Sequence, residues 1–290
     1  MDKYEHGGDI YANTKVLLDF SVNTNPLGMP EEVRDALISR VDEFSRYPDP
    51  ECRELRGAVA AYENVPEDFI LCGNGAADLI HRLCRAVKPR SALVLAPTFS
   101  EYERALEQAG CSVTRHTLFP ENNFEVAENM LERLTPETDM LFLCNPNNPT
   151  GRLINGGLLE KILHRAHENH ILTVVDECFI AFTRVGVSAK KYLYQMPGLV
   201  VLKALTKTYA LAGLRLGYML ASDKALLKKT ADAGQCWGVS VPAQVAGVAA
   251  RARRGLQEHA QPRTDSLMEA TRRLVETERQ FRTESLMALG

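Results

Sequence analysis

No two of the seven cysteines stand as a Cys-x-x-Cys pair, and Cys52, Cys72, Cys84, Cys111, Cys144, Cys178 and Cys236 are scattered unlike the framework of a small secreted domain. They read as reduced, mostly buried thiols in a reducing compartment. Metal-ligand spacing is missing too. His164, His167 and His170 recur every three residues on a helical stretch, with no carboxylate or cysteine partner at ligand spacing, so a solvated helix face accounts for them. There is no clustered basic face and the formal net charge is −3, which gives no basis for binding nucleic acid or an anionic membrane. Met1 to Gly8 contains no apolar core and no later run approaches membrane-spanning length, so the expected location is the cytoplasm. What is present is ordinary for a globular chain: 45% hydrophobic and 24% charged residues over 290, enough for one large or two modest domains with a sizeable core.

From Phe69 onward short apolar runs alternate with helical patterns, which predicts an α/β domain with a mostly parallel central sheet flanked by helices. Several of these runs end in polar or glycine-rich turns. Phe69 to Cys72 leads into Gly73-Asn74-Gly75-Ala76-Ala77-Asp78 and then a helix through Leu79, Ile80, Leu83 and Val87; unpaired N–H groups at such a helix start suit an anion. Ala92 to Ala96 ends in Pro97-Thr98-Phe99, and Asp139 to Cys144 ends in Asn145-Pro146-Asn147-Asn148-Pro149-Thr150-Gly151. Ile171 to Val175 ends in Asp176-Glu177, and Leu199 to Leu202 runs toward Lys207. Lys207 therefore sits just past a strand's carboxyl end, where open α/β sheets place their ligands. A lysine desolvated there, or set beside another cation such as Arg215, loses its proton more readily, and a neutral amine can form an imine with an aldehyde.

The run Thr206-Lys207-Thr208-Tyr209-Ala210-Leu211-Ala212-Gly213-Leu214-Arg215-Leu216-Gly217-Tyr218 resembles the Schiff-base lysine motif of the fold-type I enzymes that depend on pyridoxal phosphate (PLP), the class I/II aminotransferase superfamily. Asn145-Pro146-Asn147-Asn148-Pro149-Thr150-Gly151 is similar to a second signature of those enzymes. His6-Gly7-Gly8, the segment from Asp19 to Gly28 and the stretch from Trp237 to Gln244 resemble the threonine-phosphate decarboxylase branch, a neighbour of the histidinol-phosphate aminotransferases.

The resemblance implies an aspartate aminotransferase-like fold and pyridoxal 5'-phosphate as cofactor. It makes Lys207 and Asp176 the catalytic pair, with Lys207 holding the cofactor and Asp176 paired to its ring nitrogen. Phe99 would stack on the ring and Asn148 donate to its phenolate oxygen. Gly75, Ala76, Thr206 and Arg215 would hold the phosphate, joined by Tyr47 from a neighbouring subunit, which makes the working unit a homodimer with a shared site. His6, Gly7, Gly8 and Asn25 would bind a phosphorylated amino-acid substrate. The implied reaction converts O-phospho-L-threonine to aminopropanol phosphate and CO2, as in cobalamin biosynthesis. The alternatives are a histidinol-phosphate or aromatic amino-acid aminotransferase, and a non-catalytic PLP-binding remnant.

Three departures from the family pattern bear on that expectation. Ala204 stands where relatives carry Ser or Thr, and Phe179 where aminotransferases carry a tyrosine; the second favours the decarboxylase branch. The third is length. The expected division is an N-terminal arm with the start of a small domain over 1–50, a large PLP-binding domain over 51–247, and a helix over 248–290 leading into a missing C-terminal small domain. That small domain supplies the arginine that grips the substrate carboxylate, and none of Arg251, Arg253, Arg254, Arg272, Arg273, Arg279 or Arg282 lies in the matching context. The expectation is PLP binding with weak or absent turnover, and a structural role for Glu177.

Overall fold

The computed structural model describes residues 22–183 and 185–252. In chain order the elements are α1 (Glu31–Ser39), α2 (Arg53–Glu63), β1 (Ile70–Gly73), α3 (Gly75–Val87), β2 (Ser91–Ala96), α4 (Glu101–Gln108), β3 (Ser112–Thr117), β4 (Met140–Cys144), α5 (Gly156–Glu168), β5 (Leu172–Asp176), β6 (Leu199–Ala204), the single-turn α6 (Leu205–Thr208), β7 (Gly217–Ala221), α7 (Lys224–Asp232) and α8 (Val241–Ala252). The strands form one sheet in the order β1-β7-β6-β5-β4-β2-β3. Only β7 runs antiparallel to its neighbours, β1 and β6. Among the described residues no helix is long and apolar enough to cross a membrane. The helix expected over 248–290 begins earlier, at Val241, and beyond Ala252 that expectation lies outside the described residues.

The central strands are apolar on both faces because helices cover both, and the period of two sorts their side chains cleanly. Leu141, Leu143, Val175, Leu199 and Val201 pack with α2, α5 and α8 on one side. Met140, Phe142, Val174, Val200 and Leu202 pack with α3, α4 and α7 on the other. One rim of this sheet carries the candidate residues. Cys144 pairs with Asp176, Asp176 with Leu202, and Gly217 with both Ala204 and Gly73, so the ends of β1, β4, β5 and β6 and the start of β7 share a single edge.

The alternation also separates two adjacent carboxylates. Asp176 follows the parity of Val174 and faces α3 and α4, whereas Glu177 follows Val175 and faces α2 and α8. Glu177 accepts from Ser188 Oγ and the Ala189 N–H, both at 2.6 Å, and pairs with Lys203 at 3.4 Å. Lys203 in turn meets Glu63, which binds Lys190 at 2.8 Å and accepts from Tyr218 Oη at 2.5 Å. Arg251 closes the network on Tyr218 Oη at 2.6 Å, with its guanidinium 4.0 Å over the Tyr62 ring. The structural role expected for Glu177 is thus what its contacts give it, and Arg251 is buried in the same framework.

Burial by itself raises the Glu63 pKa, but Lys203, Arg251 and Lys190 outweigh it and bring the carboxyl down to about 2. Replacing Glu63 with alanine removes a buried carboxylate shared by Lys203 and Lys190, leaving Lys203 with Glu177 alone, and is expected to lower unfolding stability by about 3–5 kcal/mol, read from urea midpoints. A depressed carboxylate stabilises above its unfolded pKa of 4.5 and loses that contribution as pH falls toward 2. The gap between wild type and Glu63→Ala is therefore expected to narrow over that window.

Candidate active site

Lys207 lies in the one helical turn that follows β6, half-buried, with Nζ 5.8 Å from the centroid of the Phe179 ring. Burial pushes its ammonium below the ordinary lysine range and Arg215 pushes the same way, while Cys178 and Asp176 oppose them. Arg215 and Asp176 are therefore both close enough for Lys207 to feel their charge.

Arg215 has a positive φ of 57° and lays its guanidinium on the first residue of α3. Gly75 is required there: its φ is +84°, and a Cβ would stand 2.7 Å from Arg215 Nη2. Gly217 brings the same turn onto the sheet, since a Cβ on it would meet Ala76 N at 2.6 Å. Asn74, which precedes α3, gives no side-chain cap, so the helix start keeps N–H groups for an anion beside a cation. The turn is braced from behind by Asp78, which accepts from Asn74 N at 2.9 Å and pairs with the buried Arg82 at 2.7 Å. Thr206, one residue before the lysine, is buried, and its hydroxyl makes no hydrogen bond among the described residues.

Asp176 is 4% exposed and receives two donors: Tyr102 Oη at 2.7 Å and the Cys178 N–H at 2.9 Å. Burial first, then the Asp176 charge, push the Tyr102 hydroxyl well above its ordinary pKa, so it stays a donor. Tyr102 stacks on Phe142 at 4.9 Å and meets Phe99 edge-on at 5.5 Å. Phe99, half-buried, thus sits one ring away from the residue that holds Asp176. Sequence reading did not single out Tyr102. The available signal was its place in the first turn of α4, three residues after Phe99.

The Asn-Pro loop is organised by a different asparagine from the one selected. Asn147, 4% exposed, donates to Pro97 O at 3.0 Å and to Thr150 Oγ1 at 2.9 Å, and accepts from Thr98 Oγ1 at 2.7 Å, so it staples the loops after β2 and β4. Asn145 accepts from Ile154 N at 2.9 Å. Asn148 is half-buried; its N–H reaches Cys144 Sγ at 3.4 Å, and its side chain has no hydrogen-bond partner among the described residues. Peptide bonds 96–97, 145–146 and 148–149 are cis.

Tyr47 is 77% exposed and stacks on Trp237 with centroids 4.5 Å apart, while Gln244 holds the nearby Asp49 carbonyl at 2.9 Å. Asn25 is buried against the lysine turn itself. His6, Gly7 and Gly8 lie outside the described residues.

The residues present fit the cofactor that the resemblance implies. A cradle that a Cβ would fill lies against Arg215, a buried carboxylate has fixed donors, an apolar ring flanks the amine, and that amine is desolvated. They can hold an anion at one end and a heteroaromatic cation at the other, with a nucleophilic amine between them.

The sequence pattern of the family described as "Aminotransferase class I and II" matches residues 15–290. Threonine-phosphate decarboxylase of Salmonella typhimurium is 41% identical over 249 residues, which are 83% of this chain and 68% of that protein. Histidinol-phosphate aminotransferase of Anoxybacillus flavithermus is 32% identical over 244 residues, 81% of this chain and 64% of that protein. The chain thus spans about two thirds of the length of these relatives. Among solved structures, the histidinol-phosphate aminotransferase from Clostridium acetobutylicum superposes with a TM-score of 0.78 at 28% identity, covering 84% of this chain and 72% of that one.

Proposed function

The chain belongs to the aminotransferase class I and II family, enzymes that use pyridoxal phosphate, and from that premise we propose that it is a threonine-phosphate decarboxylase-like lyase acting on O-phospho-L-threonine. The observation that carries the choice of branch is the 41% identity to a threonine-phosphate decarboxylase. Phe179 supports it. A phenyl group beside Lys207 offers an apolar face where aminotransferases of the family place a hydroxyl. The place of the reaction in cobalamin biosynthesis belongs to the same proposal.

When bound, pyridoxal phosphate supplies an aldehyde for the amine and a ring that withdraws electrons from the substrate's Cα. Asp176 would pair with the ring nitrogen through a carboxylate that Tyr102 and the Cys178 N–H hold in orientation. The start of α3, Thr206 and Arg215 would hold the phosphate, Asn148 would donate to the phenolate, and Phe99 would cover the ring. Lys207 would hold the cofactor aldehyde through Nζ and, when free, would carry protons at that atom. In decarboxylation the bond from Cα to the carboxylate breaks, CO2 leaves, and Lys207 delivers a proton to the carbon it vacates. His6, Gly7 and Gly8 are proposed to hold the substrate phosphate. The exposed Tyr47 is proposed to reach the phosphate site of a second copy, which makes the enzyme a homodimer. Residues 51–247 are proposed as the large cofactor domain.

The runner-up is transamination, favoured by the 32% identity to a histidinol-phosphate aminotransferase. Incubation with PLP and each amino acid separates the two. CO2 release from O-phosphothreonine without a 2-oxoacid is the expected result, and accumulation of pyridoxamine phosphate without CO2 refutes it.

A further inference from the structure

Asn25 lies in the segment that the resemblance ties to substrate, yet its bonds run to the lysine. Its N–H donates to Lys207 O at 2.9 Å, and its side-chain Nδ2 donates to Thr208 O, also at 2.9 Å. Its Oδ1 accepts from Leu27 N at 3.0 Å, and its own carbonyl accepts from Gly28 N at 3.1 Å. The residue is 7% exposed. Every kind of polar group it has is thus engaged within the protein, and from these contacts we infer that Asn25 is a positioning residue for Lys207, not a ligand of the substrate.

The physical need for such a residue comes from the turn that carries the lysine. α6 is only four residues long, and a helix of one turn closes too few bonds to hold its own shape. The last carbonyls of any helix also lack partners within it. Here Lys207 O meets Ala210 N at 3.2 Å, and Leu205 O meets Tyr209 N at 3.2 Å. The Thr208 carbonyl takes its bond from a side chain 183 positions away in sequence. Asn25 therefore acts as a C-cap delivered by another part of the fold. It fixes the backbone from which the Lys207 side chain reaches toward Phe179. A displacement of about 1 Å at a reacting group can cost about a hundredfold in rate, so a backbone anchor at this point has a catalytic consequence without touching substrate.

This inference rests on Lys207 being the cofactor lysine, and the test separates the two. The full chain is prepared as wild type, Asn25→Ala and Asn25→Asp. The aspartate keeps the acceptor for Leu27 N but turns an oxygen toward the Thr208 carbonyl, so it serves if the alanine variant does not fold. Three quantities are read: amide hydrogen exchange of residues 205–209 in the cofactor-free chain, the rate of borohydride trapping of pyridoxal phosphate on Lys207, and the pH midpoint of the cofactor absorbance. Expected in both variants are exchange faster by about tenfold, trapping slower by about ten- to a hundredfold and a displaced midpoint, with aspartate at least as affected as alanine. Unchanged exchange and trapping overturn the assignment. A KM for O-phosphothreonine raised about tenfold or more with trapping and midpoint unchanged overturns it in favour of substrate binding. Wild type that takes no label at Lys207 overturns the cofactor reading instead, and the exchange comparison still decides whether Asn25 holds the turn.

Discussion

Replacing Lys207 with alanine is expected to abolish the borohydride-trapped pyridoxyl label and the cofactor absorbance that titrates with the lysine linkage, and to lower any turnover by at least about 1000-fold. The loss is this large because one amine has two tasks. In the proposed function it is the nucleophile that binds the aldehyde, and it is the base and acid at Cα. Its surroundings are set for both, since burial and the nearby Arg215 favour the neutral amine while Asp176 and Cys178 limit the effect. Peptide mapping of the reduced protein checks the site, and a label on any other lysine contradicts the assignment. The same burial predicts a stability effect of opposite sign in the cofactor-free chain. A lysine whose folded pKa lies below its unfolded value of 10.5 costs stability at neutral pH, and the cost fades as pH rises toward 10.5. Lys207→Met is therefore expected to unfold at a higher temperature than wild type at pH 7, with the advantage shrinking in alkali.

Asp176→Asn is expected to keep the fold and cofactor binding while slowing Cα chemistry by about 100- to 1000-fold, the usual consequence of removing one preorganised charge at a reacting centre. The amide is isosteric with the carboxylate, in which Oδ1 accepts from the Cys178 N–H at 2.9 Å and Oδ2 from Tyr102 Oη at 2.7 Å; its single oxygen keeps the first bond, and its NH2 donates to the Tyr102 hydroxyl oxygen in place of the second. What it lacks is the negative charge that the proposed function sets against the ring nitrogen, and with it the preference for a protonated ring. The measurement is the rate of Cα proton exchange or CO2 release, taken beside the fraction of chain loaded with cofactor. Slow chemistry at full loading is the expected pattern. Equal losses of loading and rate would assign Asp176 to binding alone.

The α/β class, the mostly parallel sheet and the set of loops that meet at one rim could be read from the order of residues, because apolar runs of strand length and helical spacing are local properties. The glycine turn at Gly75, the acidic end of β5 and the lysine after β6 could be read for the same reason: each is a short motif attached to the end of one strand. The partition of Asp176 and Glu177 needed only one further step, the parity of a strand whose two faces are both covered.

The partners of these groups were not legible, because they are distant in sequence. Tyr102 reaches Asp176 across 74 positions, Asn147 reaches Pro97 across 50, and Lys190 reaches Glu63 across 127. No periodicity links such pairs, and an asparagine or tyrosine has several possible uses until its neighbours are known. Asn25 shows the difference most plainly: its motif pointed to substrate, and its hydrogen bonds point to the lysine backbone. Sequence alone determined which chemistry the rim could host, since side-chain type and strand-end position are written in the chain. Tertiary structure decided which residues hold those side chains in place, since a buried polar group is satisfied by whatever the fold brings within about 3 Å of it.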